Sequence, residues 1–322
     1  MSKRRISKQQ SQRIARKQKA YQQKEHMDQS GLADGLVISR FGRHAEIEVE
    51  NGLRIHCSIR PDIQSLVAGD RVVWRPEGQG QGAIVSCYPR QSVLIRPGIR
   101  GDKAVAANIT QMIVVIAPKP EISWPLLDSY LIMAEILHLN ALILLNKTDL
   151  PCQAIQQQLI QDYHPLGYHL LFAGEHLKTG HQALEEALNH EVSVFVGQSG
   201  VGKSSIIASL LPHESAIETR SISEHKALGR HTTSSSRYYH LKGGGALIDS
   251  PGVREISLLY LEPTTIIQGY REFKPFLGLC KFRNCNHITS VGCAVKEAVA
   301  EQNISQRRYD NFVKLCQQYA KY

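Results

Sequence analysis

No run of about 18 apolar residues occurs in the 322-residue chain, so no membrane-spanning helix is expected. The first residues lack the apolar stretch that follows the charges of a secretory leader, and a cytoplasmic chain is expected. Internal repeats are absent, and low complexity is confined to the N-terminus. That stretch has no acid: residues 1–24 carry Lys3, Arg4, Arg5, Lys8, Arg13, Arg16, Lys17, Lys19 and Lys24 against no Asp or Glu. The rest of the chain is then neutral, because the whole net charge of +9 sits in this arm. A basic, Gln-rich arm with few apolar residues cannot build a core of its own. Its natural partner is a polyanion such as nucleic acid, with a solubilising tail as the plainer reading.

What is present divides the chain into three patterns. Residues 35 to 95 read as five short strands, with the hairpin dipeptide Asn51-Gly52 and a Gly-rich loop over Glu77 to Gly82. Five short strands in so few residues suggest a small closed barrel of the oligonucleotide-binding (OB) type, or a purely structural one. From residue 111, apolar runs alternate with helix-like segments: Met112 to Ala117, Ala141 to Leu145, His169 to Phe172, Val192 to Val196 and Ala246 to Ile248. Such alternation predicts a mostly parallel sheet with crossover helices. Leu241 to Ala246, with three consecutive glycines, reads as a turn between two strands. Near the C-terminus, Tyr309, Phe312, Leu315, Cys316 and Tyr319 recur at helical spacing, a stripe that suits core packing.

Gly197-Gln198-Ser199-Gly200-Val201-Gly202-Lys203-Ser204 fits the phosphate-loop pattern and follows an apolar strand, with Ser205 continuing into the expected helix. Glycines let successive backbone N–H groups turn toward phosphate, and the helix start adds its positive dipole end. Lys203 is expected to neutralise outer phosphates and Ser204 to ligate Mg2+. Asp249-Ser-Pro-Gly252 ends the next strand and supplies a carboxylate on the magnesium side and a backbone N–H for the terminal phosphate. Asn146-Lys147-Thr148-Asp149 ends the strand before the phosphate loop. Its carboxylate can accept from guanine N1–H and N2–H, a donor pair that adenine lacks. Between the phosphate motifs, Gly229-Arg-His-Thr-Thr-Ser234 offers Thr233, or else Thr232, to close over magnesium. The order is base, phosphate loop, switch threonine, DSPG, a circular permutation of the usual GTPase order. A parallel sheet tolerates this, because strand neighbours survive when the termini move.

Seven cysteines are present, and three of them fall with one histidine in Cys280-x4-Cys285-x-His287-x5-Cys293. Three sulfurs and one nitrogen suit a closed tetrahedral zinc site with a structural role. Lys281, Arg283 and Asn284 between the ligands are either RNA contacts or solvated surface.

Together, Ala107 to Val114, NKTD, GQSGVGKSS, GRHTT, DSPGVRE and the Cys/Cys/His/Cys set resemble the ribosome-small-subunit-dependent GTPase A family (RsgA) of circularly permuted GTPases. The resemblance runs over nearly the whole chain from about residue 35. After the basic tail, which is read from composition as a disordered segment over 1–34, it implies a multidomain α+β and α/β chain: an OB barrel over 35–98, a permuted GTPase domain with a mostly parallel sheet over 99–258 and a helical zinc-binding domain over 259–322. It also implies GTP and GDP as ligands, the small ribosomal subunit and its rRNA as partners, a role in late subunit maturation, and hydrolysis stimulated by the subunit. Val253 stands where many GTPases carry a water-positioning glutamine; the family places a hydrophobic residue there and uses a switch-loop histidine, here His231. The family's minor guanine motif contains Ser-Ala, and the aligned pair here is Phe172-Ala173, without the hydroxyl but with backbone contact from Ala173 still open. No coiled coil or dimer surface is evident, and a monomer is expected.

Overall fold

In a computed structural model, the residues described are 31–63, 65–78, 80–96, 102–174, 178–211, 236–249 and 263–319. The basic arm, the 229–234 segment with His231 and Thr233, and Gly252 lie outside them. The chain forms two compact units, one holding 31–66 and 70–89, the other Val67–Gly69 and everything from Arg90 onward.

The first unit is a five-stranded barrel. Its strands are β1 (Ala33–Phe41), β2 (His44–Glu48), β3 (Arg54–Ile59), β4 (Arg71–Gly78) and β5 (Gln81–Cys87). Antiparallel pairs join β1 to β2, β2 to β3, and β4 to β5, a parallel pair joins β3 to β5, and β1 meets β4 to close the circuit. Closure removes free edges and encloses a core of Val37, Ala45, Ile47, Cys57, Leu66, Val72, Trp74 and Ile84. The Asn51-Gly52 turn forms as expected: the Asn51 side chain accepts from the Leu53 N–H, and Gly52 has φ +77°. The Gly-rich stretch is less of a loop than its composition suggests, because β4 runs on to Gly78 and β5 begins at Gln81. Glycine at 82 has a steric cause: a β-carbon there would lie 2.5 Å from the Trp74 ring.

In the second unit a short ladder, β6 (Val93–Arg96) with β7 (Lys103–Ala107), precedes the main sheet. That sheet contains β8 (Gln111–Ile116), β9 (Asn140–Leu145), β10 (His169–Phe172), β11 (Val192–Val196), β12 (Arg237–His240) and β13 (Ala246–Asp249). Their order is β10-β9-β8-β11-β13-β12, parallel except for the β12–β13 hairpin. Helices α1 (Trp124–Ile136), α2 (Gln153–Asp162) and α3 (Lys178–Leu188) make the crossovers, and α4 (Lys203–Leu210) follows β11. Every residue of β8 is buried, as a strand covered on both faces requires. The triple glycine does form the β12–β13 turn, and a β-carbon at Gly245 would collide with the Leu188 carbonyl at 1.9 Å.

The C-terminal elements are α5 (Pro263–Gln268), a 3-10 turn (Arg271–Phe276), α6 (Ala294–Ala300) and α7 (Gln306–Tyr319). Phe312, Leu315 and Cys316 of α7 are buried, as the helical stripe predicts, and Tyr270, Phe273 and Phe312 pack ring against ring. Arg308 is also fully buried. Its guanidinium holds Glu272 through two bonds, of 2.7 and 3.1 Å, and donates to Asp128 of α1. Asp128 further accepts from the Tyr163 hydroxyl at 2.7 Å and from the Asn311 amide at 2.7 Å. Every oxygen of this buried acid is therefore occupied, which a charge out of water requires. Replacing Asp128 by Ala leaves Arg308 with Glu272 alone and takes the acceptor from the Tyr163 hydroxyl and the Asn311 amide, and is expected to destabilise this unit by about 3 kcal/mol. Arg307→Ala takes a largely buried arginine from Asp162, which is itself buried but keeps a bond from the Gln158 amide at 2.8 Å, and is expected to cost less. Urea midpoints read from Trp124, whose ring lies 3.8 Å beneath the Arg307 guanidinium, check both in a Trp74→Phe background.

Candidate functional site

Among the described residues, 146–149, 197–205 and Asp249 lie at the carboxyl ends of strands of one sheet, where open parallel sheets bind ligands. β11 delivers Gly197, and the loop through Gln198, Ser199, Gly200, Val201 and Gly202 leads into α4, which begins at Lys203 as expected. Gly197 has φ +136°, and a β-carbon there would sit 2.1 Å from the Val115 carbonyl oxygen of β8. Gly202 has φ +98°, and a β-carbon would sit 2.3 Å from the Asn146 side chain. Both positions therefore need glycine for conformation and for space. Lys203 is buried, its ammonium donating to the Gly197 carbonyl at 2.6 Å and to the Gln198 carbonyl. Ser204 and Ser205 face solvent on the first turn of α4. Asp249 ends β13, and continuing the parallel register of β13 with β11 sets it on the same edge of the sheet.

The base motif is bound to the phosphate loop directly. Asn146 follows β9 and donates from its amide to the Val201 carbonyl at 2.9 Å. Lys147, at φ +58°, donates to the Gly200 carbonyl at 2.6 Å and to the Lys119 carbonyl at 3.0 Å. With Asn146 and Lys147 fastened to the loop, the Asp149 carboxylate is left exposed and open to a base. Thr148 accepts the role of joint: its N–H donates to the Ala173 carbonyl at 3.0 Å.

Ala173 is not open to a base through its N–H, which donates to the Leu145 carbonyl at 2.8 Å and continues the β9–β10 ladder. The residue that abuts Asp149 is Gly174, which no motif signalled. Nor did the sequence reveal the orientation of Gln198. Its side chain turns toward the lead-in of α1, accepting from the Ser123 N–H at 3.0 Å and donating to the Glu121 carbonyl at 3.1 Å.

Far along the chain, Cys280, Cys285, His287 and Cys293 offer ligand atoms that all lie within 4.8 Å of one another. The Lys281 N–H bonds to the Gly292 carbonyl at 2.9 Å and draws the two limbs together. His287 Nδ1 is 3.5 Å from Cys280 Sγ and 3.5 Å from Cys293 Sγ, and those two sulfurs are 4.0 Å apart. Zinc bond lengths give tetrahedron edges of about 3.6 Å for S···N and about 3.8 Å for S···S, so the four residues fit Zn2+. Burial lowers the His287 pKa, which favours the neutral imidazole a metal needs, and pushes the Cys293 thiol up to about 11 in the metal-free cluster. Four protein ligands leave no vertex for a reacting water, so the cluster suits a structural ion.

Residues 87–259 match the family model described as RsgA GTPase. The chain belongs to the RsgA GTPase family. Among solved structures it is similar to YjeQ from Thermotoga maritima, at 29% identity over 90% of this chain and 99% of that one, with a TM-score of 0.74. It is also similar in fold to YloQ, a circularly permuted GTPase, at 24% identity over 91% and 96% of the two chains, with a TM-score of 0.72. This chain's N-terminal barrel, α/β core and C-terminal Cys/His cluster that could hold zinc make up a fold that matches that of YjeQ. No helix among the described residues is long and apolar enough to cross a membrane.

Elemental analysis of the purified protein is expected to find one zinc per chain. Cys285→Ser should lower that content and speed zinc loss to a chelating dye. A full zinc complement in the Ser variant would show that the cluster is not the site.

Proposed function

We propose that this chain hydrolyses GTP to GDP and phosphate, and that it binds the small ribosomal subunit and its rRNA to assist late subunit maturation. The observation that carries the nucleotide reading is the pair of bonds from Asn146 and Lys147 to the phosphate-loop carbonyls. They tie the segment that carries Asp149 to the phosphate loop, and this supports reading the two as one nucleotide site. Asp149 accepts from the guanine N1–H and N2–H, and an adenine leaves it unpaired. The N–H groups of Gly197, Gln198, Ser199, Gly200, Val201 and Gly202 surround the phosphates, and Lys203 gives up its carbonyl partners for the β- and γ-phosphates. Ser204 and Thr233 would hold Mg2+, with Asp249 as the carboxylate beside them and the Gly252 N–H as a donor to the terminal phosphate. Bound there, the ion would supply positive charge against the negative charge developing in phosphoryl transfer. His231 orients the attacking water in place of the missing glutamine.

Family membership and the acid-free arm over residues 1–24 support the ribosomal half of the reading. The arm, the N-terminal barrel and the zinc-binding module hold rRNA, while the α/β core carries the GTP cycle. Hydrolysis releases a monomeric, cytoplasmic protein from the subunit. Intrinsic turnover is slow until docking places His231.

Hydrolysis measured with and without purified small subunits tests this. Stimulation of about tenfold or more is expected from small subunits and not from large ones. His231→Ala should cut the stimulated rate by about a hundredfold with GTP binding retained. Lys203→Ala should weaken GTP binding by about 2–3 kcal/mol. Tight GTP binding without stimulation by subunits would leave the GTPase standing and move its partner to another RNA or a protein. Intact stimulation in the His231 variant would remove that residue from the mechanism.

A further inference from the structure

The junction between Asp149 and the end of β10 is occupied by a residue with no side chain. Ala173 uses both of its backbone groups, one toward Leu145 and one toward Thr148, and so fixes where the next residue lies. That residue, Gly174, is buried. A β-carbon on it would lie 2.8 Å from Thr148 Oγ1, 3.2 Å from the Asp149 nitrogen and 3.2 Å from Asp149 Oδ1. Its φ lies outside the left-handed range, so the backbone conformation is open to other residues. Space is what requires glycine here. Thr148 Oγ1 is itself buried and makes no hydrogen bond among the described residues. The Thr148 N–H is itself tied to the Ala173 carbonyl, so a new carbon at 2.8 Å from Oγ1 would press on the motif itself.

We infer that Gly174 is a specificity-determining residue: its missing β-carbon lets Asp149 hold its carboxylate where two donors of the base reach it together. The inference rests on the reading of Asp149 as the acceptor for guanine. Guanine presents both N1–H and N2–H, hypoxanthine presents N1–H alone, and adenine presents neither donor. Displacing the carboxylate by a few tenths of an ångström spoils the two-point contact before it spoils the one-point contact. The phosphate loop over residues 197–205 is common to all nucleoside triphosphates, and the three atoms nearest a β-carbon at position 174 all belong to Thr148 and Asp149. Gly174 therefore acts on the choice between bases, through Asp149, and is a positioning residue for that choice.

Competition binding of GTP, ITP and ATP to the full-length protein tests this in four forms: wild type, Gly174→Ala, Thr148→Ala and the double variant. In the wild type GTP binds more tightly than ITP, and ITP more tightly than ATP. Gly174→Ala is expected to weaken GTP about tenfold more than ITP, collapsing the GTP-to-ITP ratio. The double variant removes the 2.8 Å contact and should recover part of that ratio. A Gly174→Ala protein that keeps the wild-type ratio, even if both affinities fall, overturns the inference and makes the glycine merely structural. Should that variant fail to fold, the double variant is compared with Thr148→Ala alone; equal ratios there overturn the inference as well. A wild type with no preference for GTP over ITP removes both this inference and the assignment of Asp149. A wild type with that preference and an unchanged ratio in the variants removes only Gly174.

Discussion

Two side-chain bonds, Asn146 to the Val201 carbonyl and Lys147 to the Gly200 carbonyl, hold the base motif and the phosphate loop together as one site. Everything else about the permuted order follows from the fact that these bonds depend on strand adjacency and not on chain order. β8 lies between β9 and β11 in the parallel sheet, so the carboxyl ends of β9 and β11 stay close whichever comes first. The glycines at 197 and 202 are the local counterpart of that constraint. One lets the loop pass over the Val115 carbonyl, and the other makes room for the Asn146 amide. A β-carbon at either place would separate the two halves before any nucleotide arrived.

The same loop is joined to the C-terminal module through α1. Gln198 fastens the lead-in of this helix, while Arg308 and Asn311 of α7 fasten its body at Asp128. From α7 the Tyr309 hydroxyl donates to the His287 carbonyl at 2.9 Å, inside the metal-binding loop. Helices α1 and α7, with polar contacts at each end, thus join the phosphate loop to the Cys/His cluster within one compact unit. Buried charge at its centre is costly to expose, and a network of this kind fixes one arrangement of the helices around it.

Much of this was legible in the sequence, for a physical reason. Phosphate loops, Asn-Gly turns and Cys/His clusters depend on local backbone geometry and ligand chemistry, which dictate residue type at fixed spacing. The apolar strand at 141–145 was plain because a sheet covered on both faces needs unbroken apolar runs. What escaped depends on contacts between distant segments. Arg308 beside a helical apolar stripe reads as solvated, and only the approach of Asp128 and Glu272 makes it a core residue. Gly174 reads as an ordinary loop glycine until Thr148 and Asp149 close on it. Phe172-Ala173 was aligned with the minor base motif by sequence. The β9–β10 ladder takes the Ala173 N–H, and the approach to Asp149 falls one residue later.

The central claim is that an exposed carboxylate at position 149 reads a guanine base whose phosphates lie in the 197–205 loop. The most direct measurement is the nucleotide preference of Asp149→Asn. An amide in place of the carboxylate donates where the acid accepted, so it matches the C2 carbonyl of xanthine and opposes the N2 amino group of guanine. The account predicts that the variant loses GTP and gains XTP, with its fold unchanged. Retained preference for GTP over XTP would contradict it, and would require the base to be read elsewhere on the chain.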